Sequence, residues 1–165
     1  MAMDIEATLH FEAPAATISK MLIAPDFQEM IGERIKATEC STVVGVDEIT
    51  ATYRIPTIAA YRAYAGAQMK LIGRLRWTAP LLDGRQLGEL ELVTEHFPAT
   101  TCGTVKLCEK NGGTEVVYDC QVKARIPFLS GKLEKLIGGA GQTMVEVNQQ
   151  LGETWLQRHA ADPAA

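Results

Sequence analysis

The stretch that most constrains this fold is the last one, from Pro127 to His159. Apolar residues recur there at Leu133, Leu136, Ile137, Ala140, Met144, Val147, Leu151 and Trp155, in three- and four-residue steps that keep one face of a single long helix apolar. At 1.5 Å per residue such a helix is ~45 Å long. It cannot be satisfied by capping one corner of a small domain and demands a broad apolar partner. Pro127 stops the preceding strand, and Ser130 stands at the N-cap position ahead of Leu133 and Glu134. Gly138, Gly139 and Gly141 interrupt the helix. Each costs roughly 1 kcal/mol relative to alanine in a helix interior, so close backbone approach or room for a guest is expected there.

The rest of the chain supplies that partner as strands. Asp4 to Glu12 alternates, with Ile5, Ala7, Leu9 and Phe11 on one face. Ala13-Pro14 ends it, and two short helices follow, Ala15 to Ile23 and Asp26 to Arg34, separated by Pro25. Between Ile35 and Ile55 two strands meet at a turn around Gly45-Val46-Asp47, and Pro56 closes the hairpin. Thr57 to Gly66 reads as a helical turn. Four more alternating strands follow, Gln68 to Thr78, Gln86 to Glu95, Thr100 to Glu109 and Thr114 to Ile126, with turns at Asp83-Gly84 and Asn111-Gly112-Gly113.

The chain has 165 residues, 47% of them hydrophobic and 22% charged, which suits one soluble domain, expected over residues 4–159 with a disordered tail at 160–165. A net charge of -4, with basic residues scattered, argues against nucleic acid as a partner. No apolar run reaches the ~18 residues of a membrane span, and Met1 to Phe11 carries Asp4 and Glu6 where a secretory signal would be basic and then apolar. A cytoplasmic chain without stable membrane insertion is expected. Cys40, Cys102, Cys108 and Cys120 lack C-x-x-C spacing, so they read as reduced thiols rather than a zinc site or a redox pair.

The order of elements, one strand, two short helices, six strands joined largely by hairpins and one long helix, resembles the helix-grip fold of the START-like superfamily, which includes polyketide cyclases and lipid-transfer domains. More narrowly, it is similar to an uncharacterised START-like family of bacteria. The residues carrying the resemblance are Ile55-Pro56 ahead of Gly66, Trp77 ending a strand, Phe97-Pro98 before the Thr101 to Leu107 strand, and the run Ile126-Pro127-Phe128-Leu129-Ser130-Gly131-Lys132-Leu133-Glu134, followed by Trp155-Leu156. The fold class implied is α+β: a curved, seven-stranded, mostly antiparallel sheet, first strand beside the last, wrapped around the C-terminal helix with a hydrophobic cavity between them. The superfamily shares no single catalytic signature to transfer.

Chemical constellations are sparse. Gly138-Gly139-Ala140-Gly141 lacks both a preceding strand and the third glycine of a dinucleotide fingerprint, and no Lys-Ser or Lys-Thr follows to make a phosphate loop. No cofactor is implied. His10, His96 and His159 have no Ser, Cys or Asp partner by spacing, and Glu89, Glu91 and Glu95 share a face opposite leucines, which reads as solvated surface. The informative positions are polar groups on inward faces: Tyr53, Trp77, Thr94, Tyr118 and, at the edge of the helix stripe, Asn148. A buried hydroxyl or amide without a partner costs ~1–3 kcal/mol, so each must find protein, water or ligand. Strand parity and helix phase give an expected ligand lining of Tyr53, Leu71, Trp77, Leu92, Tyr118, Cys120, Met144, Val147 and Asn148, with no catalytic and no metal-ligating residue. Binding of a hydrophobic small molecule, a lipid, polyketide or similar, is the reading this supports. The alternative is a cyclase- or dehydratase-like enzyme that shapes a polyketide-type substrate and uses a tyrosine as acid or base.

Overall fold

The computed structural model describes residues 2–57, 62–95, 99–124 and 130–160, with residues 2, 64–65 and 130–142 described as backbone alone. The stretches at 58–61, 96–98, 125–129 and 161–165 lie outside the described residues, and with them His96, the Phe97-Pro98 and Ile126-Pro127 steps and the expected tail beyond Ala160. Strand β1 (Ala2–Phe11) is followed by helices α1 (Ala15–Leu22) and α2 (Pro25–Arg34), the hairpin β2 (Glu39–Gly45) and β3 (Glu48–Pro56), and the single turn α3 (Arg62–Ala65). Strands β4 (Gln68–Trp77), β5 (Arg85–Thr94), β6 (Ala99–Lys110) and β7 (Gly113–Ala124) come next, and α4 (Ser130–Ala160) ends the order.

The seven strands form one curved sheet in the order β1-β7-β6-β5-β4-β3-β2, every neighbouring pair antiparallel, so the first strand lies beside the last. Two of its hairpins are set by local chemistry. Asp83-Gly84 and Asn111-Gly112 take positive φ at successive residues (52° and 72°, 55° and 79°), the backbone a two-residue turn needs to match strand twist and one that glycine adopts without steric cost. The helix breaks likewise follow sequence. Pro14 and Ala24, at ψ 152° and 130°, are extended rather than helical, and Pro25 sits in the first turn of α2, where its missing N–H costs nothing.

Alternation places one side chain in two on the concave face. Register defines transverse rows there, including Trp77, Gly88, Val105, Tyr118 and Ala7, and Ile49, Leu75, Leu90, Gly103, Cys120 and Ile5. The opposite face carries exposed Arg74, Arg76, Glu89 and Glu91, with Arg76 and Glu89 paired at 2.7 Å and Lys70 and Glu95 at 3.2 Å. These surface pairs contribute little to stability. α4 covers the concave side along β1 and β7 and leans on α2. It is one continuous helix through Gly138, Gly139 and Gly141, so these glycines follow no strand. Among the described residues no helix is long and apolar enough to cross a membrane.

What seats α4 is its C-terminal half. Gly152 is buried against Phe11, and a Cβ added there would fall inside the ring's van der Waals surface and 3.2 Å from Cε of Met21. Three residues on, the buried Trp155 donates its indole N–H to Asp26 Oδ1 at 3.0 Å, and Nε2 of His159 lies 2.8 Å from Asp26 Oδ2. The two rings stack with centroids 3.9 Å apart. Burial of Asp26 works to raise its pKa, but the hydrogen bonds from Trp155 and His159, the charge of His159 and the Phe27 N–H outweigh it and hold the carboxyl below its ordinary value.

Two outcomes follow from this seat. Gly152→Ala gains ~1 kcal/mol of helix propensity but drives a methyl into a ring that is 1% exposed. Overpacking of this kind costs ~1–3 kcal/mol, so a net loss of several degrees in Tm is expected by calorimetry. Because the folded pKa of Asp26 is depressed, its contribution is present above the unfolded carboxyl value and lost as pH falls through the folded one. Asp26→Asn should therefore cost ~1 kcal/mol near neutrality, a modest figure because the carboxylate is half exposed, and the difference from the parent, followed by urea titration at a series of pH values, should shrink and vanish as pH falls through the depressed carboxyl pKa.

Candidate functional site

Burial on the concave face is uneven. Val105, Leu107 and Val116 are 0–1% exposed, whereas Leu71, Gly73, Leu90, Leu92, Thr94 and Thr101 are only half-buried, although register puts them on the same side. The closed end lies beneath α1 and the C-terminal half of α4. The partly open patch occupies the middle of β4, β5 and β6. Among the described residues, a Cβ built at Gly73 meets Leu92 Cδ1 at 3.5 Å, an ordinary contact. Gly88 is the contrast: Trp77 fills its place, with Cε3 2.7 Å from where a Cβ would stand.

The expected lining residues separate into groups. Tyr53 and Leu71 are cross-strand partners, and Leu92 lies opposite Gly73 one row away. Trp77 and Tyr118 share a row across Gly88 and Val105, and both belong to the main buried cluster, against which Leu71 and Met144 also pack. Cys120 is buried in a smaller cluster with Ile5 and Val122. On α4, Val147 is half-buried outside these clusters, whereas Val145, which the sequence reading omitted, packs against the main one. Asn148 sits between Met144 and Val145 on one side and Leu151 and Gly152 on the other, in the middle of the apolar stripe rather than at its edge.

The polar groups divide according to whether protein satisfies them. Trp77 donates its indole N–H to the Ser19 carbonyl at 3.2 Å, and Tyr53 donates its hydroxyl to Gln28 Oε1 at 2.5 Å. Sequence spacing gave no hint of either partner, since α1 and α2 meet the sheet only through tertiary packing. Asn148 Oδ1 is removed from solvent and has no hydrogen-bond partner among the described residues, as is also true of Thr57 Oγ1 and Gln86 Oε1. Burial pushes both tyrosine hydroxyls well above their ordinary range, with the neighbouring thiols Cys40 and Cys120 adding a smaller upward push. It also raises the Cys120 thiol to about 11, helped by Asp119 and Cys102. These groups stay neutral through the physiological range. Among the described residues, no three His, Cys, Asp or Glu side chains are placed to share a metal ion.

Comparison with known proteins agrees with this geometry. The profile of a family described as "Protein of unknown function (DUF2505)" matches residues 6–156. A 61-residue segment is 33% identical to the uncharacterized protein Rv0481c of Mycobacterium tuberculosis, covering 36% of this chain and 35% of that protein, about a third of the relative's length. Among solved structures, Ara h 8.0201 superposes with a TM-score of 0.60 at 11% identity over 91% of this chain and 97% of its own. A START superfamily protein from Mycobacterium smegmatis gives 0.56 at 15% identity over 94% and 97%. At such identities the likeness is one of fold. The architecture is the START-like helix grip, and the chain, matched from residue 6 to residue 156, belongs to the family of unknown function DUF2505.

Proposed function

We propose that this protein binds a neutral, mainly apolar small molecule between the concave face of its sheet and α4. The observation that carries this reading is the half-buried patch around Leu71, Gly73, Leu90 and Leu92, set inside a sheet whose closed end is buried almost completely. Apolar surface left partly exposed on a concave face is surface a ligand can remove from water, at ~0.8 kcal/mol per CH₂ before ordering costs. Tyr53 and Trp77 form one rim, Tyr118 and Cys120 the opposite wall, and Met144, Val147 and Asn148 the roof. A small-molecule site with an apolar lining and few polar groups has this composition. The raised tyrosine and thiol pKa values support binding over turnover, since a group held neutral by burial is a poor proton acceptor at neutral pH.

The test is titration with Nile red, a neutral apolar fluorophore. Micromolar binding is expected, unchanged between about 0.05 and 1 M salt and between about pH 6 and 9, because no ionic contact and no titrating group is involved. Leu92→Trp should fill the patch and weaken binding roughly tenfold, while Leu87→Trp on the convex face should leave it unaltered. Equal affinity in the parent and a folded Leu92→Trp protein would overturn the reading.

A further inference from the structure

On the roof of the groove, the side-chain oxygen of Asn148 is buried with no hydrogen-bond partner among the described residues. Gly152 rests on Phe11, and Gln149 bonds the backbone of His10, so α4 and β1 run in the same sense. One helical turn back from Gly152, ~5.4 Å, is Asn148. Two residues back from Phe11, ~6.8 Å, is Leu9, and two more bring the strand to Ala7, which pairs with Tyr118. Asn148 therefore lies near the level of Leu9, one row from the Ala7 and Tyr118 pair, where alanine leaves space. Its polar neighbours are engaged: the Gln149 amide bonds His10 and Glu153, and Gln150 accepts from Arg34. Asn148 Oδ1 is buried without a donor among the described residues.

We propose that the ligand presents a hydroxyl to Asn148, so that the site selects an apolar alcohol over the hydrocarbon or carboxylate of the same body. This rests on the binding reading above and adds to it the polar end of the ligand. A hydroxyl donates to Oδ1 and can accept in return, which satisfies a side-chain amide in either orientation. A hydrocarbon leaves the acceptor unpaired in the interior. A carboxylate would need a cation or several N–H donors once out of water. Among the described strand residues, no Lys, Arg or His occupies a concave-face position.

The experiment displaces Nile red from the full chain with decanol, decane and decanoate. Decanol should bind roughly tenfold tighter than either of the others, the equivalent of one satisfied hydrogen bond. Asn148→Leu should erase the advantage of decanol over decane and raise the Tm of the ligand-free protein, because it deletes an orphaned polar atom; Asn148→Ala serves as the second variant for the selectivity measurement. Failure of Nile red to bind at all would overturn the pocket itself and this inference with it. Nile red binding with no preference for decanol, or with a preference that survives in Asn148→Leu or Asn148→Ala, overturns the hydroxyl subsite alone.

Discussion

A sheet with one apolar face and a single long helix to cover it has few ways to close, and this chain closes through the contact of Gly152 with Phe11. Phe11 is the last residue of β1 and is 1% exposed. Its neighbourhood joins three elements, because Thr114 of β7 donates its hydroxyl to the Ala13 carbonyl at 2.7 Å just before α1 begins. The absence of a side chain at Gly152 lets α4 come down onto this corner, and Trp155 then reaches the start of α2, where Asp26 receives it. The two short helices do more than connect β1 to β2. They supply the groups that lock the end of α4, and they satisfy Trp77 and Tyr53 from below through Ser19 and Gln28.

Fixing α4 at one end divides the interior. Near α1 the side chains interlock, and Trp77 takes the room that Gly88 vacates. Farther along β4, β5 and β6 the concave face is smaller in volume and less covered, with Gly73, Thr94 and Gly103 among its leucines. One chain thus contains a half whose side chains interlock and a half in which apolar surface stays partly exposed. The price of that arrangement is the hydrophobic stabilisation that the second half does not supply.

Much of this was legible in the residues. Period-two alternation from Ile5 to Phe11, from Met69 to Trp77 and from Val116 to Ala124 assigned the inward faces as the structure has them, because register is strongly fixed wherever one face is buried. Asp-Gly and Asn-Gly marked their turns for a stereochemical reason that needs no tertiary context. Less legible was the phase of α4 near its middle. Asn148 was placed at the margin of the stripe because an amide is costly in an apolar one, whereas Gly152 and Trp155 fix the centre of the buried face close to it. Partners distant in sequence were invisible. The carboxylate that meets His159 is not a neighbour in the chain: Asp26, on an element formed more than a hundred residues earlier, stands beside it. Pairings of that kind come from the way helices cross the sheet, which no local pattern encodes.

The Gln149 side chain has a consequence for how the sheet meets other chains. Its amide gives Nε2–H to the His10 carbonyl at 2.9 Å and takes the His10 N–H on Oε1 at 3.2 Å, the same donor and acceptor pair that a neighbouring strand would offer. The outer rim of β1 is therefore already spoken for at that point. The other rim is β2, where Cys40 to Val46 carries no charge and Val43 and Val44 are 72% and 51% exposed. Uncharged edges of high β-propensity are the ones that recruit foreign strands. The two rims of the sheet are thus unequal: a foreign strand would meet the amide of Gln149 at β1 and open backbone at β2.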